Sequence, residues 1–153
     1  MAGTRFQVSI YGDRLMQRKL LRLVSNAEDL RPAWPAVARR AGQEFDRQFA
    51  QQGSPKWQAL KPGTIRQRIA EGFPPGPILN KTGALRAAWA DPDTDESADE
   101  LDLTVDIEYA KTHQFGRGAI PARPVRLPRA AQRDIVFLIR DHIVGPLDRM
   151  RAW

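Results

Sequence analysis

Phe6, Val8 and Ile10 alternate with polar residues across "RFQVSI", and Gly12 closes the run. Alternation with period two predicts a short strand buried on one face. Asp13 then supplies an N-cap, and Met16, Leu20, Leu23, Ala27 and Leu30 recur at steps of four and three. Those steps put the five on one stripe of a helix over 13–29, with Arg14, Arg18, Lys19 and Arg22 mostly off it. Pro32 and Pro35 interrupt the pattern. It resumes with Val37, Ala41, Phe45, Gln48 and Phe49, led by Trp34, which predicts a second helix over 35–51 and an antiparallel hairpin with the first.

The centre is written differently. Between residues 52 and 84 the chain has five prolines and five glycines, too many for one regular element. Trp57 and Leu60 are expected to anchor this segment. Thr64 can cap a short helix, "TIRQRIA", with Ile65 and Ile69 one turn apart, and "GFPPGP" cannot continue it. "ILNKTGAL" reads as a tight turn in which Asn80 and Gly83 tolerate turn dihedrals. Leu85 to Trp89 leave a strand and a short helix both open.

Residues 91–100, "DPDTDESADE", read as a polar, acidic loop. Alternation returns in "LDLTVDIE": Leu101, Leu103, Val105 and Ile107 point one way, and Asp102, Thr104, Asp106 and Glu108 the other. This is the clearest strand in the chain, and its acidic face must meet water or a basic partner. The next stretch, "YAKTHQFGRGAIPARPVR" over 109–126, has two glycines, two prolines and four cationic side chains, a composition that argues for a loop. Tyr109 and Phe115 are expected to anchor it, with His113, Gln114 and Arg123 holding it or meeting a neighbour. Pro128 can open a last helix. Its stripe is Ala131, Ile135, Leu138, Ile139, His142 and Ile143, ended by Gly145-Pro146. Val136 and Phe137 lie off that stripe, free for a second contact. The sum is one α+β domain over 1–153: a small, mainly antiparallel sheet packed by an N-terminal helical hairpin and a C-terminal helix.

Charge sharpens this picture. The net charge is +6, yet nine of the 18 acidic residues fall between Asp91 and Glu108, and no Lys or Arg occurs from Ala87 to Ala110. The rest of the chain sets 24 Lys and Arg against nine acidic residues, a surplus of 15. Three readings stay open: a basic surface for phosphate, complementary surfaces for self-assembly, or a solvated acidic loop on an arginine-rich protein. No helix shows the compact basic face of a recognition helix, and aromatics do not interleave with arginine as in a stacking platform. Non-specific DNA binding through a scattered basic surface remains the alternative function.

Chemistry is sparse. The chain has no cysteine, which excludes disulfides and thiolate metal sites, and only two histidines. His142 sits on an apolar stripe as a core or boundary residue. His113 has no ligand pattern around it. Asp91, Asp93 and Asp95 lack the mid-loop glycine and distal glutamate of a calcium loop. Neither a phosphate-cradling glycine loop nor a serine elbow is present. No catalytic, cofactor or metal site is expected. No signal-peptide core and no apolar run near ~20 residues occurs, which predicts a soluble product without membrane contact.

Three blocks then carry a resemblance. "KWQALKPGTIRQRIAEG", "GPILNKTGALRAAW" and "YAKTHQFGRGAIPARPV" follow one another with the alternating strand between the second and third. In this order they resemble the phage virion morphogenesis family, the tail completion or head–tail joining proteins of Mu-like and related tailed phages. The matching positions include Trp57, Leu60 and Thr64; Ile78, Leu79, Thr82, Gly83 and Leu85; Tyr109, Ala110, His113, Gln114, Phe115, Gly116, Pro121, Ala122, Arg123 and Pro124. Arg117 joins them as an interface candidate. The family commonly continues with Phe-Leu after Pro-Ala-Arg-Pro, whereas Val125, Arg126 and Leu127 stand here, so either the register shifts or Arg126 points outward. The resemblance implies a structural, non-enzymatic virion protein assembled in the bacterial host cytoplasm. It implies a self-associating, commonly hexameric ring at the neck, with a monomer in solution compatible with it. The implied neighbours are head-connector and tail-terminator or tail-tube proteins, with non-specific contact to passing DNA.

Overall fold

The computed structural model describes residues 14–148. The strand expected at Phe6, Val8 and Ile10 and the cap at Asp13 lie outside the described residues. Among the described residues the fold is α+β. In chain order it contains α1 (Arg14–Glu28), a turn of 3-10 helix (Arg31–Ala33), α2 (Trp34–Gln51), α3 (Pro62–Ala70) and α4 (Ala84–Ala90). There follow β1 (Asp93–Glu96), β2 (Leu101–Thr104), α5 (Ala110–Phe115) and α6 (Arg129–Asp148).

The centre of the molecule is α2. Its predicted stripe of Trp34, Val37, Ala41, Phe45, Gln48 and Phe49 is buried throughout, and α4 and α6 pack along it. Gly42 lets α4 approach: a Cβ there would sit 2.1 Å from the carbonyl oxygen of Ala90. Phe45 meets Trp89 edge to face at 5.0 Å, a preferred aromatic geometry. Arg86 of α4 grips Asp46 of α2 with two parallel bonds, Nε to Oδ1 at 2.6 Å and Nη2 to Oδ2 at 3.0 Å. At the C-terminal end of α2 the chain turns through left-handed Gln52 and Gly53, with Gly53 N–H donating to Gln48 O at 2.8 Å. The Trp57 indole rests on Gly53 and against Phe49, 5.4 Å between ring centroids.

No residue of α1 is buried, and α1 packs on α6. Helix α6 runs through Gly145-Pro146 to Asp148, although that pair was expected to end it. Pro146 has no N–H for the carbonyl of His142 four residues earlier. Asn26 of α1 supplies the donor instead, its Nδ2 lying 3.2 Å from His142 O. The His142 ring nitrogen Nε2 lies 2.9 Å from Asp29 O, so this histidine is a satisfied boundary residue.

Several boundaries differ from expectation. Four residues of the acidic run 91–100 form a strand: β1 pairs antiparallel with β2, Asp93 opposite Thr104 and Glu96 opposite Leu101. Every residue of β1 is exposed, so no apolar alternation announced it. Strand β2 stops at Thr104, where its partner strand runs out, but the alternation in exposure continues. Leu103, Val105 and Ile107 pack on the core while Asp102, Asp106 and Glu108 face water. Helix α3 begins at Pro62 with Lys61 as its cap, two residues before Thr64, because proline's fixed φ favours the first helical position. In the turn before α4, Gly83 has φ +86° as expected, but the other left-handed residue is Leu79, not Asn80.

Among the described residues the segment 121–128 has no strand partner, and side chains take its backbone. Trp57 Nε1 donates to Pro124 O at 3.1 Å. Gln114 accepts from Val125 N–H at 2.9 Å and donates to Val125 O at 3.1 Å. Gln48, 1% exposed, accepts from Arg126 N–H at 3.0 Å and donates to Arg126 O. Val125 is thereby buried and the Arg126 side chain points outward, which accommodates arginine where the family resemblance led one to expect an apolar residue.

Two sets of variants test this account by urea unfolding. Gly42→Ala forces α4 away from α2 and is expected to cost about 2 kcal/mol or more. Gly63→Ala, whose Cβ would meet nothing within 4 Å, should be neutral or stabilising by up to about 1 kcal/mol. Gln48→Met keeps the volume but strands the N–H and C=O of Arg126, with an expected loss of about 2–4 kcal/mol.

Candidate functional site

The three motif blocks converge on one cleft of about 510 Å³. The loop after Trp57 gives Gln58, Leu60 and Lys61, and α3 gives Thr64, Gln67 and Arg68. The turn into α4 adds Leu79, Lys81, Thr82, Gly83 and Leu85. Tyr109 and His113 enter beside α5, and Ile120, Pro121 and Arg123 close the far wall. Five of these side chains are cationic or can become so, and none of the lining residues is acidic.

Two arginines are almost wholly enclosed, Arg68 at 7% exposure and Arg123 at 6%. Arg68 Nη1 donates to Pro77 O at 2.9 Å and Arg123 Nε to Gln58 O at 3.1 Å. Each thus holds a loop carbonyl, and neither forms an ion pair among the described residues. Burial weakens the protonation of Arg123, and the charge of Arg68 adds to this. A guanidinium stays charged even so, so the cleft keeps uncompensated positive charge. His113 lies against Tyr109 with the ring centroids 6.0 Å apart, and its Nδ1 is buried without a partner. Burial first, and then the charge of Arg123, hold the imidazole below its ordinary pKa of 6.5.

The structure divides the motif residues in two. Thr64, Thr82, Gly83, Tyr109, His113, Pro121 and Arg123 line the cleft. Trp57, Gln114 and Pro124 stand behind it in the hydrogen-bond set that fixes segment 121–128. Gly116 caps α5 with φ +78°, and Arg117 opens the exposed tip, where Arg117 and Ile120 exchange two 3.0 Å backbone bonds. Arg123 N–H returns the chain to His113 O at 2.7 Å.

Two expectations for this stretch fail. The start of the supposed loop is the helix α5, since nothing before Gly116 breaks a helix. Phe115 is no anchor, being 73% exposed, and Tyr109 is also exposed. Positions four apart share a helix face. Ala110 and Gln114 take the inward face of α5, which turns Phe115 outward. Sequence reasoning also missed Arg68: the expected pair Ile65 and Ile69 pointed to an apolar face, yet Ile69 is exposed and Arg68 buried. No local signal marked it, because what holds Arg68 inward is Pro77 O, nine residues away. Among the described residues no group of three or more His, Asp or Glu side chains is placed to hold a metal ion, and no helix is long and apolar enough to cross a membrane.

The half-buried imidazole of His113 sets a pH window. Its folded pKa is depressed, so the unfolded chain binds the extra proton first, and stability falls as pH drops below 6.5. Asp46 and Glu71 are held below their ordinary 3.8 and 4.5, chiefly by hydrogen bonds from Arg86 and Lys81, so their stabilisation is lost only at lower pH. Denaturation midpoints should decline as pH falls below 6.5, and His113→Asn should flatten that decline while leaving the more acid loss in place.

Neither a curated protein nor a solved structure matches the chain significantly. The model of the phage virion morphogenesis family matches residues 13–136, a span holding all three motif blocks, the cleft they line and the start of α6 as far as Val136. The chain belongs to the phage virion morphogenesis family.

Proposed function

We propose that the protein is a tail completion, or head–tail joining, component that assembles with itself into a ring at the neck of a tailed phage or prophage particle. The observation that carries this reading is the convergence of the family's three sequence blocks on one cationic cleft and on the hydrogen bonds behind it. A catalytic site would need a base or nucleophile with a partner in reach. Here the histidine's enclosed nitrogen faces none, and the polar groups hold backbone. A ring needs two different patches on each copy, and the segregated charge of this chain offers them. The neighbours in the particle would be the head connector on one side and tail-terminator or tail-tube proteins on the other. The basic remainder of the surface tolerates passing DNA without reading it.

Electron microscopy of particles made without the chain tests this. Separate capsids and tails are the expected outcome, rescued by the protein supplied in trans. Fully joined, infectious virions in its absence would refute the proposal.

A further inference from the structure

The cleft is lined by cationic and no acidic side chains, the hairpin β1–β2 carries exposed carboxylates, and the two lie at opposite ends of α2. At the C-terminal end, Leu79 and Leu85 of the cleft belong to one core cluster with Phe49 and Trp57. Ile78 N–H is held there by Gln52 Oε1 at 2.6 Å. At the N-terminal end, the hairpin tip is fastened by Leu30 N–H to Ala98 O and Trp34 Nε1 to Ser97 O, each 2.8 Å. Helix α2 has 18 residues, a length of about 27 Å at 1.5 Å per residue. One copy's tip cannot enter its own cleft.

Both features hold charge that their own copy leaves unanswered. Arg68 and Arg123 each bond a single neutral carbonyl, and a guanidinium has five N–H donors to offer. Asp93, Asp95, Glu96, Asp99, Glu100 and Asp102 are exposed on the hairpin, and none forms an ion pair among the described residues. We infer that the cleft receives the acidic β1–β2 hairpin of a second copy, its carboxylates meeting Arg68 and Arg123 from the open side. The contact joins two different patches, so it repeats from copy to copy in one direction, and opposite charge sets its register. Duplex DNA fits the site less well. Its phosphates are fixed on a wide, stiff surface, whereas a narrow hairpin can carry a carboxylate to a guanidinium enclosed by the cleft walls. This inference rests on the self-assembly proposed above and names its interface.

The chain has no cysteine, which makes a clean cross-linking test available. Lys61→Cys places a thiol at the cleft and Glu96→Cys places one on the hairpin, both at exposed positions. The two single variants are mixed and oxidised, once as concentrated pure protein and once in assembling particles. A disulfide-linked heterodimer in excess of both homodimers, in either setting, is the expected result. Equal homodimers, or no cross-link in both settings, overturns the contact. The double variant Lys61→Glu/Lys81→Glu should lose the association, and mixing it with Asp95→Lys/Glu96→Lys should restore it. Particle yield separates the two levels of failure. Complete virions without the chain defeat the proposed function. Dependence on the chain together with full yield from Lys61→Glu/Lys81→Glu defeats only this interface.

Discussion

A proline-rich segment that joins no sheet among the described residues is the constraint around which this part of the fold is built. Pro121, Pro124 and Pro128 contribute no N–H, so residues 121–128 cannot form a complete ladder. Their polar groups still need partners wherever the segment is buried. Two glutamines solve the problem. A glutamine amide presents one acceptor and one donor side by side, as a neighbouring strand would, and Gln114 and Gln48 clamp Val125 and Arg126 respectively. Successive residues of an extended chain aim their peptide groups to opposite sides. The clamps therefore come from different elements, α5 and α2, and the segment is held between them. The Trp57 indole adds a third tie at Pro124.

The cleft follows from those ties. Fixing Val125 and Arg126 draws Arg123 back over α5, where its N–H meets His113 O and its guanidinium reaches Gln58 O. Arg68 reaches the same region from α3 to hold Pro77 O. Both arginines are spent on loop carbonyls that no regular element satisfies, which is why so irregular a region keeps a defined shape. The consequence is electrostatic. Two guanidiniums and an imidazole share one enclosed space, and the burial that orders them also disfavours charge on the weakest base among them, His113. Order in the loops is obtained at the cost of positive charge with no counter-charge beside it.

What the sequence made legible follows from period. The stripe of α2 and the alternation through Ile107 were plain because each element buries one face and leaves the other wet, and even Gln48 could be placed on the buried stripe. The role of Gln48 could not, since its partner lies 78 residues away at Arg126. Strand β1 carried no signal because neither of its faces is buried. Helix α5 was hidden by the glycines that follow it, and the continuation of α6 past Pro146 depends on Asn26, a residue more than 100 positions distant. In the site, the motif positions were readable as a set, but Arg68 was not among them. Its burial is decided by Pro77 O, an acceptor created by a turn that local propensity does not specify.

Charge placement also bears on symmetry. A two-fold dimer built on the cleft would set arginine against arginine, and one built on the hairpin would set carboxylate against carboxylate. At the few-ångström spacing of an interface, each such arrangement is repulsive. Segregation to the two ends of α2 removes that conflict only when copies follow one another in the same direction, because every junction then brings unlike patches together. Screening acts over about 8 Å at physiological ionic strength, so the preference operates at contact and leaves distant copies indifferent. If the proposed contact forms, it would therefore join copies directionally once something concentrates them, and would not pair them two by two.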